Sequence, residues 1–269
     1  MPNPSNRFRR SPLLGLTVLA VLVHGQAAGQ RPDFEWRGRL PAGAAIEVKG
    51  VSGDIRATPA GGEEVEVVAV KRGDPRDVEA VTFEVVEHRD GVTICALFPL
   101  RRGRTASCDP GSWHDLRLER DLDVEADFEV RVPAGGRFVA RTISGDIDIR
   151  GLQGDVAANT VSGDVWIETS GLAEARTVSG SVRATLGRTD WSGELAFETV
   201  SGDVTVEAPD GLEADVDFAT ISGDIETDFA IAVRGRGFVR HSLRGTIGSG
   251  GRHLKLKTVS GDVTLRRRR

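Results

Sequence analysis

The chain has 269 residues, a formal net charge of −5, 28% charged residues, two cysteines, four tryptophans and no tyrosine. That length can bury the core of one long domain or of two smaller ones. A mildly acidic balance lacks the basic face that nucleic-acid binding requires, so no nucleic-acid partner is expected.

Residues 1–29 have the order of a secretory signal peptide: Arg7, Arg9 and Arg10, an apolar run over 13–23, then the small residues Ala27, Ala28 and Gly29. A bilayer span needs roughly 20 apolar residues, so the run is too short for an anchor and the mature chain is expected to hold no transmembrane segment. No Cys sits near the expected cleavage point, which argues against a lipid anchor. The expectation is an exported protein, in the periplasm, at the cell surface or secreted. Removing 1–29 takes away three Arg and no acids, which moves the formal charge from −5 to −8.

Residues 30–132 read as an N-terminal β segment. Alternating apolar and polar residues predict strands at 64–70, 81–87, 92–97, 116–118 and 126–132, with one short helical turn within 74–80. Cys95 and Cys108 bracket an irregular loop containing Pro99, Arg101, Arg102, Gly103 and Arg104. In an oxidising compartment such a pair predicts a disulfide, and closing a loop of this size stabilises by about 3 kcal/mol. Pro133 and the glycines after it punctuate the chain and set the expected boundary.

Residues 133–265 carry a dense repeat. A pentapeptide of the form Val/Ile-Ser-Gly-Asp-Val/Ile begins at Val51, Ile143, Val161, Val200, Ile221 and Val259, and Val178 begins a copy with Ser181 in the Asp place. Weaker echoes begin at Leu152, Trp191 and Leu243. The full copies from Ile143 onward are 18, 17, 22, 21 and 38 residues apart, and the last gap would divide near Leu243. Self-similarity at such a period indicates stacked coils.

The parity of buried positions changes within each repeat. Before the motif the apolar set is Phe138, Ala140 and Thr142, or Val156, Ala158 and Thr160; after it, Val200, Gly202, Val204 and Val206. Side chains alternate with a period of two, so a change of parity requires a corner. Each repeat is therefore expected to be two short strands bent between Thr and Val/Ile. An inward Val/Ile–Gly–Val/Ile row would oppose an outward Ser/Asp row, with Thr stacked on Thr between coils. The fold class is all-β, a β-helix or β-solenoid-like stack with an irregular β N-terminal half. The repeat residues are Thr142, Ser144, Gly145 and Asp146; Thr160, Ser162, Gly163 and Asp164; Ser201, Gly202 and Asp203; Ser222, Gly223 and Asp224; and Ser260, Gly261 and Asp262. Residues 266–269 read as a basic tail.

The recurrent Thr-Val/Ile-Ser-Gly-Asp-Val/Ile unit, the Val-Pro-Ala-Gly-Gly stretch at 132–136 and the closing segment 254–265 resemble the bacterial "putative adhesin" family of exported β-strand repeat proteins, the DUF4097 type. The resemblance spans most of residues 34–265. It implies a stacked-strand fold in an exported or membrane-associated protein, and it supplies no catalytic residues. Some relatives are tied to envelope-stress regulation, which makes a sensor or regulator the alternative reading.

Several constellations invite chemistry. In register, the row Asp54, Asp146, Asp164, Asp203, Asp224 and Asp262 would place carboxylates about 4.8 Å apart. Hydrogen bonding of each Asp to nearby backbone is the expected offset, and no metal or other cofactor is expected, since the glycine-rich nonapeptides of calcium-binding rolls are missing. A polysaccharide-acting enzyme would need a unique carboxylate pair that breaks the repeat, and none stands out, so the protein is read as noncatalytic. The histidines are scattered without metal-ligand spacing. Trp36, Trp113 and Trp191 read as packing residues. Trp166, at the outward parity of its strand, and the run Arg266, Arg267, Arg268 and Arg269 are the candidate contacts for an unknown protein or glycan of the cell envelope.

Overall fold

The computed structural model describes residues 31–41, 43–99, 107–112, 122–239 and 241–268, with backbone alone for 234–239. The segment 1–29, Arg101, Arg102, Gly103, Arg104, Trp113, His114, the strand expected at 116–118 and Arg269 lie outside the described residues.

Short strands make up almost every element. The first are β1 (Phe34–Arg39), β2 (Ala45–Lys49), β3 (Ile55–Pro59) and β4 (Glu64–Gly73). The one helix among the described residues, α1 (Pro75–Ala80), starts where the Asp74 side chain accepts the Arg76 amide, and Pro75 occupies a first-turn position that needs no donor. Next come β5 (Thr82–His88), β6 (Gly91–Leu97), β7 (Val124–Val132) and β8 (Arg137–Arg141). The repeats supply β9 (Ile147–Leu152), β10 (Val156–Asn159), β11 (Val165–Thr169), β12 (Ala173–Arg176) and β13 (Val182–Thr185). They continue as β14 (Glu194–Glu198), β15 (Val204–Ala208), β16 (Ala214–Ala219) and β17 (Ile225–Thr227). The chain finishes with β18 (Ile231–Val239), β19 (Ser242–Ile247), β20 (His253–Lys257) and β21 (Val263–Arg267).

The strand before each motif joins a back sheet of 11 strands, ordered β18-β19-β16-β20-β14-β12-β10-β8-β2-β6-β5. The strand after it joins a front sheet of 10, ordered β1-β4-β7-β3-β9-β11-β13-β15-β21-β17. Strand alternation turns Phe138, Ala158, Phe197, Leu256 and Phe218 inward from the back sheet and Ile147, Ile167, Val206 and Leu265 inward from the front sheet. These side chains belong to one continuous apolar core that also takes in Ile46, Val48, Ile55 and Ala57 of the N-terminal copy. Strands on both sides of Pro133 lie in the same two sheets.

The coils do not stack in chain order. Parallel bridges join Ser52, Ser144, Ser162, Ser179, Ser201, Ser260 and Ser222 in that spatial sequence. The final repeat is inserted: β20 pairs with β14 on one side and β16 on the other, and β21 with β15 and β17. No coil lies at Leu243, contrary to the division expected from spacing. That residue is in β19, which pairs antiparallel with both β16 and β18 and extends the back sheet past the last coil.

The expected inward row also needs correction at its first member. Thr142, Thr160, Thr177, Thr199, Thr220 and Thr258 are buried, but the residue after Thr177, Thr199, Thr220 and Thr258 faces out, with Val178 47%, Val200 46%, Val259 41% and Ile221 70% exposed. Ile143 and Val161 are half-buried and Val51 is buried. The parity change is spread over the whole corner, so inward packing resumes only at the residue after Asp. At the chain's end, Arg266 and Arg267 are the last residues of β21 rather than the start of a tail.

Candidate binding groove

Each corner is built from three ladders that run from coil to coil. The buried Thr hydroxyl donates to the Gly carbonyl of the neighbouring coil: Thr160 to Gly145 at 3.2 Å, Thr177 to Gly163 at 3.1 Å, Thr199 to Gly180 at 2.8 Å, Thr258 to Gly202 at 2.9 Å and Thr220 to Gly261 at 2.9 Å. Thr therefore satisfies a carbonyl of the next coil rather than stacking hydroxyl on hydroxyl. The Gly that accepts is required twice over. Gly202 has φ of 137°, and a Cβ there would meet the Gly180 carbonyl oxygen at 2.2 Å.

The Asp row forms the third ladder. The Asp54 carboxylate accepts the Asp146 amide at 2.9 Å, Asp146 that of Asp164 at 2.8 Å, Asp203 that of Asp262 at 2.8 Å and Asp262 that of Asp224 at 2.8 Å. Asp164 accepts the amide of Ser181, whose hydroxyl then accepts the Asp203 amide at 3.2 Å. Asp54, Asp146, Asp164, Asp203 and Asp262 thus each commit one carboxylate oxygen to backbone. Among the described residues, no group of three or more His, Cys, Asp or Glu side chains is placed to hold a metal ion.

The outward Val and Ile of the corners produce a feature that sequence reasoning missed. Val161, Val178, Val200, Val259 and Ile221 line up across successive coils along a concavity of about 860 Å³, whose other wall is the outer face of the back sheet. Backbone groups under this ladder are already used. The carbonyls of Ile143, Val161, Val178, Val200 and Val259 each accept the Ser amide of the next coil at 2.7–2.9 Å. The floor presents methyl groups. The parity change itself carried the signal, because it had to fall somewhere between Thr and the residue after Asp.

The charged residues along the groove, Glu174, Arg176, Glu198 and Lys257, are paired with one another or with Lys255 and Asp217 beside it. Glu198 contacts Lys255 at 2.5 Å and Arg176 at 3.1 Å, and Asp217 contacts Lys257 at 3.0 Å and Arg244 at 3.2 Å. Partial burial works against both carboxylates, but their cations outweigh it and hold both carboxyls below the usual carboxylate range. Glu198 in turn pushes the Lys255 ammonium up.

At the end nearest β2 a second concavity, of about 630 Å³, is lined by His88, Arg89, Asp90, Glu47, Gly111, Arg137 and Arg141 among others. Arg137, Val139 and Arg141 line both concavities. Beneath them lies a buried polar cluster. Glu47 accepts from Arg141 at 2.8 Å, Gly111 at 2.9 Å and Thr93 at 3.0 Å, while fully buried Lys49 donates to the Asp109 carbonyl at 2.5 Å. Burial opposes the Glu47 carboxylate, and the Gly111 amide, Lys49, Arg141 and Thr93 together hold its carboxyl below the usual range. Burial also pulls the Lys49 ammonium down, against the pull of Glu47. The disulfide between Cys95 and Cys108, with Cα atoms 5.8 Å apart, ties the segment carrying Asp109 and Gly111 to β6.

The remaining candidate residues lie on the front sheet. Trp166 is 37% exposed, but the Arg150 and Arg183 guanidinium carbons sit 3.6 and 4.7 Å from its ring centre. Those residues flank it on the neighbouring strands β9 and β13, which leaves the indole edge rather than a face for a partner. Arg267 lies over the Phe229 ring at 4.9 Å and its side chain donates to the Asp228 carbonyl at 3.2 Å. Arg266 and Arg268 are exposed.

The family model of Toastrack DUF4097 matches residues 138–266. Over that span the repeat region is similar to the Toastrack family. The matched span holds six of the seven corners, including the inserted one, and every groove-lining residue except Arg137. No curated protein sequence matches the chain. Among solved structures, a putative cell adhesion protein from Clostridium sporogenes ATCC 15579 is similar at 8% identity and a TM-score of 0.44, covering 88% of this chain and 100% of that one. A putative adhesin from Bacteroides fragilis NCTC 9343 is similar at 11% identity and a TM-score of 0.28, covering 86% of this chain and 96% of that one.

Proposed function

We propose that this protein is an exported, noncatalytic β-repeat surface protein that binds a partner of the cell envelope or extracellular space through the groove of its back sheet. The observation that carries this reading is the ladder of half-buried Val161 and exposed Val178, Val200, Val259 and Ile221, an apolar row inside a concavity with a charged rim. Export is supported by the charge-then-apolar order of residues 1–29 and by the disulfide. A noncatalytic role is supported by the use of the carboxylates. Those of the Asp ladder hold backbone amides, and Glu198 and Asp217 are kept ionised by paired cations, the opposite of what a general acid needs.

Cosedimentation of the mature protein with envelope fragments of the producing cell tests the reading. The wild type should pellet with the fragments, and a Val178→Asp, Val200→Asp variant of unchanged melting temperature should stay in solution. Equal pelleting of both proteins would overturn the groove. Loss confined to an Arg266→Ala, Arg268→Ala variant would do the same and move the contact to the front sheet.

A further inference from the structure

We infer that the groove binds a single-chain anionic amphiphile, a long-chain fatty carboxylate, with its tail on the Val/Ile ladder and its head at Arg137. The inference rests on the proposed use of the groove and adds the chemistry of its ligand. Five rungs from Val161 to Ile221 at the spacing of paired strands span about 19 Å. One leaflet of a bilayer, half of a hydrocarbon core about 30 Å thick, has tails of comparable length.

The floor selects for an alkyl chain. An extended peptide or a glycan needs hydrogen-bond partners along its length, and the corner carbonyls from Ile143 to Val259 are already taken by amides of the next coil. Over most of that length the lining carries no surplus charge, since Arg176 and Lys257 are balanced by Glu174 and Glu198. Excess positive charge appears at one end, where the two concavities share Arg137 and Arg141. Arg141 is engaged by Glu47. Arg137 and Arg89 are exposed and have no ion-pair partner among the described residues, and of the two Arg137 alone lines both concavities. That leaves Arg137 as the head-group contact, where a guanidinium can hold a carboxylate through two parallel hydrogen bonds.

The test is titration of the mature protein with hexadecanoate, followed by displacement of a fluorescent polyene fatty acid, with 1-hexadecanol and acetate as the two half-ligands. Saturable binding of one hexadecanoate is expected, with acetate failing to compete. Arg137→Ala should weaken hexadecanoate about tenfold and leave hexadecanol unchanged, the signature of one lost charge-assisted contact. Val178→Asp with Val200→Asp should abolish both. No saturable hexadecanoate binding, or binding indifferent to Arg137 and to the ladder alike, overturns the inference. The surface residue Arg137 keeps the test decisive should the ladder variant fail to fold. If envelope fragments still require the ladder while hexadecanoate does not bind, the groove stands and the amphiphile falls. If the ladder variant pellets like wild type, the broader reading falls instead.

Discussion

The Asp146 carboxylate accepts the backbone amide of Asp164 at 2.8 Å, one coil away. The same bond recurs from Asp54 to Asp262, and it turns a row of like charges into a coil-to-coil clamp. Repulsion between adjacent carboxylates at this spacing is about 1 kcal/mol in water, and a hydrogen bond to a charged acceptor is worth about 1.5–3 kcal/mol, so the clamp wins. Asp164→Asn keeps an accepting oxygen and loses the repulsion, and it should leave the melting temperature unchanged or slightly raised. Asp164→Ala leaves the Ser181 amide without its acceptor and should cost about 1–2 kcal/mol. Urea denaturation of the two variants reads the difference, and equal loss in both would argue against the ladder.

The sequence made the repeat legible because Thr, Gly and Asp each have one physical job at every corner. It left the corner's first apolar residue misplaced for an equally physical reason. Thr142 and Ile147 are both inward yet five positions apart, which demands a parity change among residues 143–146 without saying where. Placing it directly after Thr turned Val200 inward, and with it went the groove. Coil order was hidden more deeply. Every interface uses the same three ladders, so Thr258 fits the coil of Gly202 as well as Thr220 fits that of Gly261. Only the 38-residue gap before Val259 hinted at a detour.

Reduction of the Cys95–Cys108 bridge should release the segment carrying Asp109 and Gly111 from the edge of the back sheet. Opening a loop of this length costs about 3 kcal/mol, which for a domain of this size lowers the melting temperature by about 6–12 °C. Lys49 provides a local readout, since its amine is covered and donates to the Asp109 carbonyl. Amine-directed labelling read by mass spectrometry should modify Lys49 in reduced protein and spare it in oxidised protein. Labelling at the same rate in both would show that the disulfide does not hold the cover down.

Acid should weaken the fold through the carboxylates at the groove wall and in the buried cluster. Glu198, Asp217 and Glu47 all have carboxyls held below their ordinary values in the folded chain. Their stabilisation is therefore complete above the unfolded values of about 3.9–4.3 and is lost as pH falls through the lower folded ones. Lys255 works in the opposite sense: its raised value contributes fully below about 10.4 and is lost as pH rises through the folded value. Melting temperature against pH should be flat near neutrality and fall below about pH 4. Glu198→Gln should flatten the acid limb, and an unchanged limb would assign acid sensitivity elsewhere.

The position of the last repeat makes the C-terminus an internal part of the fold. In a solenoid stacked in chain order, deleting the final coil would remove one interface and leave the others intact. Here β20 and β21 lie between β14–β15 and β16–β17, so deleting residues 253–269 removes two interfaces and separates their neighbours. β15 loses its pairing with β21 over five residue pairs and β17 over three. The Gly202 and Val204 amides lose the Ser260 and Asp262 carbonyls, and the Ser222 and Asp224 carbonyls lose the Gly261 and Val263 amides, so these groups must find new partners or face water. Hydrogen exchange in the truncated chain should show simultaneous loss of protection in β15 and β17, and the main thermal transition should fall well below that of the full chain. Direct pairing of the Ile221 coil with the Val200 coil would restore protection, but the β18–β19 hairpin is fixed to β16 and must move with it. Retained protection in β15 with an unshifted transition would mean that the last repeat is a dispensable end layer.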